Sequence, residues 1–126
     1  MIRILHVEDD LDILEIARLS LELSGEFEVT QFGDPEAAIA GAPGLTPDVL
    51  LLDFMMPGMS GDQLLARLRE NVSLRTVPAI FMTARAQPGE VRDLVAKGAC
   101  DVIVKPFDPV LLAVQIKSIL TRQMAA

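Results

Sequence analysis

Five short apolar segments, each followed by a helical pattern, constrain this chain more than any other feature. The segments are 2–7 (IRILHV), 27–32 (FEVTQF), 48–53 (DVLLLD), 78–82 (PAIFM) and 101–104 (DVIV). The third and fourth are nearly continuous apolar runs, the pattern of central strands buried on both faces of a parallel sheet. Between the segments the period changes. Over 11–24, Asp12, Glu15, Arg18 and Glu22 form a polar stripe at helical spacing, which leaves leucines and isoleucines to face a sheet. Asp10 stands where it can cap this helix. Asp34-Pro35 and Asp108-Pro109 read as openings of the second and fifth helices, with aspartate capping free N–H groups and proline in the first helical position. Ser60 with Gln63 resembles a capping box for the third helix. Pro88 lies near the start of the fourth, and Gly98 suits the left-handed turn that ends it. Connections are short throughout. A βα unit repeated five times therefore predicts an α/β fold with right-handed crossovers around a parallel sheet.

The 126 residues, 51% of them hydrophobic, are enough for one domain, 1–126, with one packed core. No apolar run approaches the length that spans a bilayer. The opening MIRILHVEDD reaches three acids within ten residues, unlike a secretory signal. A cytoplasmic protein without membrane contact is the expectation. Cys100 is the only cysteine, so an internal disulfide is excluded, and it reads as a small buried apolar residue. A formal charge of −7 without any basic run argues against direct nucleic-acid binding, because phosphates repel such a surface. Tyr and Trp are absent, which leaves few platforms for bases or flat cofactors.

The position of the acids carries the functional argument. Glu8, Asp9 and Asp10 follow the first strand, Asp53 closes the third, Thr83 follows the fourth and Lys105 follows the fifth. In an open parallel sheet all of these strand ends lie on one edge, where ligands bind. Each residue also has an ordinary reading: Asp10 as a cap, Asp53 as the start of a turn with Pro57 and Gly58, Thr83 as a cap, Lys105 as a solvated charge. Together they are harder to dismiss. Crowding Glu8, Asp9 and Asp53 in a cleft is costly, since like charges repel and raise one another's pKa. A divalent cation removes that cost, and all-oxygen ligation by few carboxylates suits Mg²⁺. A carboxylate can also attack phosphorus to give an aspartyl phosphate. Phosphoryl transfer needs positioning and charge neutralisation, which Lys105, the Thr83 hydroxyl and a metal ion would supply.

These segments resemble the response-regulator receiver family, with CheY-like proteins as its type. The resemblance rests on VEDD at 7–10, LLLDFMMPGMSG at 50–61, MTA at 82–84 and GACDVIVKPF at 98–107. The separations match as well: 44 residues from Asp9 to Asp53, 30 from Asp53 to Thr83 and 22 from Thr83 to Lys105. The family implies a flavodoxin-like, doubly wound five-stranded sheet of order 2-1-3-4-5. It implies Asp53 as phosphoacceptor, and Glu8, Asp9, Asp53 and the Met55 carbonyl as holders of Mg²⁺. It further implies that Thr83 and Lys105 bind the phosphoryl group and that the Lys105–Pro106 bond is cis. The partners implied are a sensor histidine kinase or histidine phosphotransfer protein, and a downstream target, or a second copy, docked through the fourth helix, fifth strand and fifth helix. Such a domain is a regulatory phosphoacceptor, not a conventional enzyme.

One departure is informative. Three residues before the lysine, receivers usually carry Tyr or Phe, which swings inward on activation; here Val102 stands there. Valine is short and stiff. The expectation is that output passes instead through backbone movement around 83–87 and the fourth helix. His6, the one histidine, reads as a packed or hydrogen-bonded strand residue, with the donor histidine on another protein. Met55 and Arg85, each two residues past a site residue, stand where receivers tune the approach of water. Asp93 and Lys97 read as a solvated i,i+4 pair. A haloacid-dehalogenase-like phosphatase would need a second aspartate at Met55, and a flavodoxin-like carrier would need aromatic and phosphate-loop residues that are missing. Within the receiver reading, a stand-alone regulator, a relay intermediate or phosphate sink, and a receiver excised from a longer transcriptional regulator stay open.

Overall fold

The computed structural model describes residues 1–85 and 87–125. The elements are β1 (Ile2–Val7), α1 (Leu11–Leu23), β2 (Phe27–Phe32), α2 (Pro35–Gly41), β3 (Val49–Asp53), α3 (Gly61–Leu68), β4 (Ala79–Thr83), α4 (Pro88–Ala96), β5 (Asp101–Val104) and α5 (Leu112–Ala125). A single 3₁₀ turn at Val72–Leu74, with no counterpart in the sequence reading, precedes β4. The strands form one parallel sheet of order β2-β1-β3-β4-β5.

Side chains alternate across a pleated strand, and here the alternation sorts the core into two halves. Leu5, Val7, Leu50, Leu52, Ala79 and Phe81 face one side, where they pack on Ala38, Leu64, Leu65, Leu68 and Leu94 of α2, α3 and α4. Ile4, Val49, Leu51, Ile80, Met82 and Ile103 face the other, against Ala17 and Leu21 of α1 and Leu112, Ile116 and Ile119 of α5. Every residue of β3 and β4 is buried, which explains why those two segments read as nearly continuous apolar runs.

The caps hold the strand-to-helix turns in place. The Asp10 carboxylate accepts from the N–H groups of Asp12 and Ile13 at 2.9 and 3.2 Å, and that of Asp34 accepts from Ala37 at 2.8 Å. At α3 the Gln63 side chain accepts from the Ser60 N–H at 3.0 Å, while the Ser60 hydroxyl donates to Asp62 at 2.5 Å. Gly98, at φ +114°, turns the chain out of α4.

Several boundaries differ from the sequence reading. The third strand starts at Val49, because the Asp48 carboxylate is already engaged by the Arg3 N–H at 2.8 Å. The fourth runs one residue later than expected. Pro78 has no N–H for a ladder, and Thr83 is the last strand residue instead of the first one after it. Ser24 caps the end of α1 and is not part of it. Asp108-Pro109 does not open α5, which begins at Leu112. The Asp108 carboxylate accepts from Val110 at 2.9 Å and closes a turn, and the Pro109 carbonyl is taken by the Ser20 hydroxyl of α1. The Asp93–Lys97 pair is not formed. The Lys97 ammonium lies 5.3 Å from the centroid of the Phe54 ring, a cation–π contact that wins over a solvated ion pair.

Candidate functional site

Parallel strands deliver their C-terminal residues to one edge. Glu8 is the first residue beyond β1, and its N–H still bonds the Phe32 carbonyl of β2 at 3.2 Å. Its side chain is fully buried. Asp53 ends β3, Thr83 ends β4, and both are about 5% exposed or less. The β3–β4 register pairs Asp53 with Met82, which sets Thr83 one residue farther along the same edge. Lys105 follows β5, where its N–H donates to the Thr83 carbonyl at 2.8 Å, and the next peptide bond, Lys105–Pro106, is cis as the family resemblance implied.

The Lys105 ammonium bridges the two buried carboxylates, 2.5 Å from Glu8 Oε1 and 3.1 Å from Asp53 Oδ1. The Asp10 N–H donates to Glu8 Oε2 at 3.2 Å, and the Met55 N–H donates to Asp53 Oδ1 at 3.3 Å. The Thr83 hydroxyl accepts from the Arg85 N–H at 3.1 Å. Asp9 is exposed, yet Glu8, Asp9 and Asp53 each place one carboxylate oxygen within 4.8 Å of the others. Three hard oxygen donors this close, two of them buried, fit a small divalent cation such as Mg²⁺. Met55 is exposed, with its backbone turned back towards Asp53. The structure thus gathers Glu8, Asp9, Asp53 and Lys105 and sets Thr83 beside them.

The electrostatics follow from burial. Glu8 is pushed up to about 7 by desolvation and by the neighbouring Asp53 charge, against the pull of Lys105. Desolvation also raises the Asp53 carboxyl, again against Lys105. For Lys105 burial acts downward, but the two carboxylates outweigh it and hold the ammonium above its ordinary value. His6 lies two residues before Glu8, fully buried, and is held down to about 3 by burial and then by the charge of Lys105. It is therefore a neutral, hydrogen-bonded strand residue, as its lone position implied.

A testable pH dependence results. A carboxyl whose folded pKa lies above its unfolded value favours folding at low pH, and that contribution is lost as pH climbs through the folded value. Glu8 should therefore cost the metal-free fold stability as pH rises from 4.5 towards about 7. His6 acts with the opposite sign between 6.5 and about 3, so the informative quantity is the difference between wild type and Glu8→Gln. In chelator, denaturant unfolding should show wild type losing ground to Glu8→Gln across that window, and saturating Mg²⁺ should flatten the loss. A difference that stays level without metal would contradict the assignment.

Val102 is half-buried against the α2–α3–α4 half of the core and in register with Phe81. The Phe81 ring contacts Phe54, centroids 5.6 Å apart. The loop proposed for output, 83–87, includes one residue outside the described ones. Beside it lies a cleft of ≈ 420 Å³ lined by Phe54, Thr83, Arg85, Asp93, Leu94 and Lys97. A larger cleft of ≈ 760 Å³ opens at the opposite edge of the sheet and includes none of the gathered acids. No helix among the described residues is long and apolar enough to cross a membrane.

Gly61, at the start of α3, was not singled out by sequence reasoning. A Cβ built there would lie 2.9 Å from both the Asp53 carbonyl oxygen and the Phe54 Cα. Only the position of α3 against the end of β3 reveals this constraint.

Comparison with known proteins agrees with the geometry. Residues 4–117 match the family model for the response regulator receiver domain. The transcriptional regulatory protein CseB of Streptomyces coelicolor is 39% identical over 119 residues, covering 94% of this chain and 49% of CseB. The phosphate regulon transcriptional regulatory protein PhoB of Escherichia coli is 36% identical over 120 residues, 95% of this chain and 52% of PhoB. The chain thus spans about half the length of these relatives. Among solved structures, the chemotaxis response regulator CheY4 of Vibrio cholerae superposes with a TM-score of 0.86 at 28% identity, covering 94% of this chain and 98% of its own. Sheet order, strand-end chemistry and this match lead to one assignment: the chain belongs to the response regulator receiver domain family, the regulatory module of two-component signalling.

Proposed function

We propose that Asp53 accepts a phosphoryl group from the phosphohistidine of a sensor kinase or a histidine phosphotransfer protein, and that the resulting charge shifts the domain between two states. The observation that carries this reading is the Lys105 ammonium bridging two buried carboxylates at the strand edge, with Asp9 completing an oxygen cluster. An Asp53 oxygen attacks phosphorus, the P–N bond of the donor breaks, and the imidazole leaves with its electron pair. Glu8, Asp9, Asp53 and the Met55 carbonyl would hold Mg²⁺, which when bound neutralises charge on the phosphoryl oxygens. Lys105 neutralises another oxygen. The Thr83 hydroxyl turns its proton towards a third, free to do so because its present backbone contact is one it accepts.

The phosphoryl group brings about −1.5 to −2 charges to the edge of the sheet. A state that moves Thr83 and the start of α4 towards it gains population. With Val102 in place of an aromatic, the backbone of that loop and α4 carry the change to a partner on the α4–β5–α5 face. CseB and PhoB bear names of transcriptional regulators, which favours transcription as the process controlled. The direct test is incubation with Mg²⁺ and a small acyl phosphate, followed by intact mass. One phosphoryl group per chain, labile to hydroxylamine and absent when Mg²⁺ is chelated, is the expected result. Uptake that ignores the chelator would refute the metal-dependent mechanism.

A further inference from the structure

The cleft of ≈ 760 Å³ at the far edge of the sheet takes no part in the strand-end site, and its charge is opposite to that of the chain. Its volume lies in the range that seats a small organic molecule. Val77, Ala79 and Leu120 contribute apolar lining. Four charged residues face it: Arg69, Arg75, Lys117 and Asp48. Lys117 is already paired with Glu26. The Asp48 carboxylate accepts from the Arg3 N–H at 2.8 Å and keeps its charge. Neither arginine has a carboxylate partner among the described residues.

Arg69 follows the last turn of α3 and is half-buried. Its Nη1 donates to the carbonyls of Leu74, Arg75 and Val77 at 2.8, 3.0 and 3.0 Å, which pins the guanidinium to the loop leading into β4. Nε and Nη2 make no hydrogen bond among the described residues, yet neither is sealed from solvent. Burial holds the group below its ordinary pKa. A guanidinium fixed in place, partly desolvated and without a counter-charge is prepared for an anion, because the fold has already met the cost of ordering it. Two guanidiniums against the one carboxylate of Asp48 leave a single net positive charge. That balance matches a head group of one negative charge better than a phosphate dianion.

We propose that this cleft binds an amphiphilic monocarboxylate, with its head at Arg69 and Arg75 and its apolar tail along Val77, Ala79 and Leu120. Guanidinium and carboxylate match as planar forks, and the tail gains by leaving water. The site is independent of the phosphoryl chemistry, since none of Glu8, Asp9, Asp53, Thr83 and Lys105 lines the cleft.

Cys100, the chain's one cysteine, is half-buried and lines the same cleft, so it reports occupancy without a label elsewhere. The experiment follows alkylation of the full chain by iodoacetamide, a neutral reagent, while sodium decanoate is titrated below its micelle-forming concentration. Decanoate should protect Cys100 in a saturable way, about tenfold more tightly than decanol, because a hydrogen bond to a charged group is lost with the alcohol. Decyl phosphate should bind no better than decanoate. Arg75→Gln should weaken decanoate about tenfold and leave decanol unchanged. Thr121→Glu, which brings a second negative charge to the lining, should act in the same direction. Both positions are exposed, so the fold should tolerate either change. Arg92→Gln removes a cation from the exposed face of α4, away from the cleft, and should change nothing. Absence of protection would overturn the proposal. Equal protection by decanol and decanoate would reduce the cleft to an apolar groove without anion recognition and overturn it as well. Tighter binding of decyl phosphate would refute the monocarboxylate, and equal losses in Arg75→Gln and Arg92→Gln would show that net charge alone is at work.

Discussion

Asp53→Asn is expected to take up no phosphoryl group under conditions where wild type gains one. The substitution preserves shape and lets an oxygen still accept from the Met55 N–H, which wild type holds at 3.3 Å. What it removes is the anionic oxygen. A carboxamide is a poor nucleophile at phosphorus, and it lacks the charge that holds Lys105 at 3.1 Å and contributes to the metal cluster. Intact mass after exposure to Mg²⁺ and an acyl phosphate reads the outcome directly. Equal labelling of both proteins would sink the assignment and direct attention to another nucleophile. Circular dichroism and thermal unfolding of the variant should show that the fold is retained, since the substitution removes one of three crowded acids.

Gly61→Ala should have the largest structural effect of any single methyl group near the site. The new Cβ would meet backbone atoms of Asp53 and Phe54 at 2.9 Å, and backbone cannot rotate away as a side-chain tip can. Either α3 withdraws from the end of β3 or the strand end shifts. Overpacking of this kind costs typically 1–3 kcal/mol, and the better helix propensity of alanine returns at most about 1. A net loss near 2 kcal/mol corresponds to a melting temperature lower by roughly 5–15 °C. Because the displaced atoms include the backbone of Asp53, the proposed phosphoacceptor, labelling should slow more than the stability loss explains. Misplacement by about 1 Å can cost a hundredfold in rate. Gly25→Ala is the control: φ there is +72° with open space around the new Cβ, so it should lower stability by about 1 kcal/mol and leave labelling at the wild-type rate. Equal labelling rates in all three proteins would show that the approach of α3 does not position Asp53.

Much of the fold was legible because strands and helices use different periods. The nearly continuous apolar runs of β3 and β4 and the polar stripe of α1 are local signals, and so are the Asp10 and Asp34 caps. The sheet edge was legible as well, because parallel topology alone sends Glu8, Asp53, Thr83 and Lys105 to one place. Features that depend on distant contacts were not legible. An Asp-Pro pair can cap a helix or close a turn; at Asp108-Pro109 the turn wins, with the Ser20 hydroxyl of α1 on the Pro109 carbonyl. Lys97 had Asp93 as a neighbour in sequence but finds the Phe54 ring, which only the fold brings near. The buried His6 finds its hydrogen-bond partner in Gln31, which is 25 residues away.

The division of the core by the sheet has an energetic consequence. Leu64 belongs to one half and Ile116 to the other, and the two clusters share no buried residue. Perturbations on opposite sides of a sheet share few partners and are commonly additive to within about 0.5 kcal/mol, whereas neighbours within one half are coupled. Leu64→Ala and Ile116→Ala should therefore sum in the double variant, while Leu64→Ala with Leu68→Ala should not. The α1–α5 side can then be remodelled for a new partner while the α2–α4 side keeps its packing, with the strand ends as the one place that feels both.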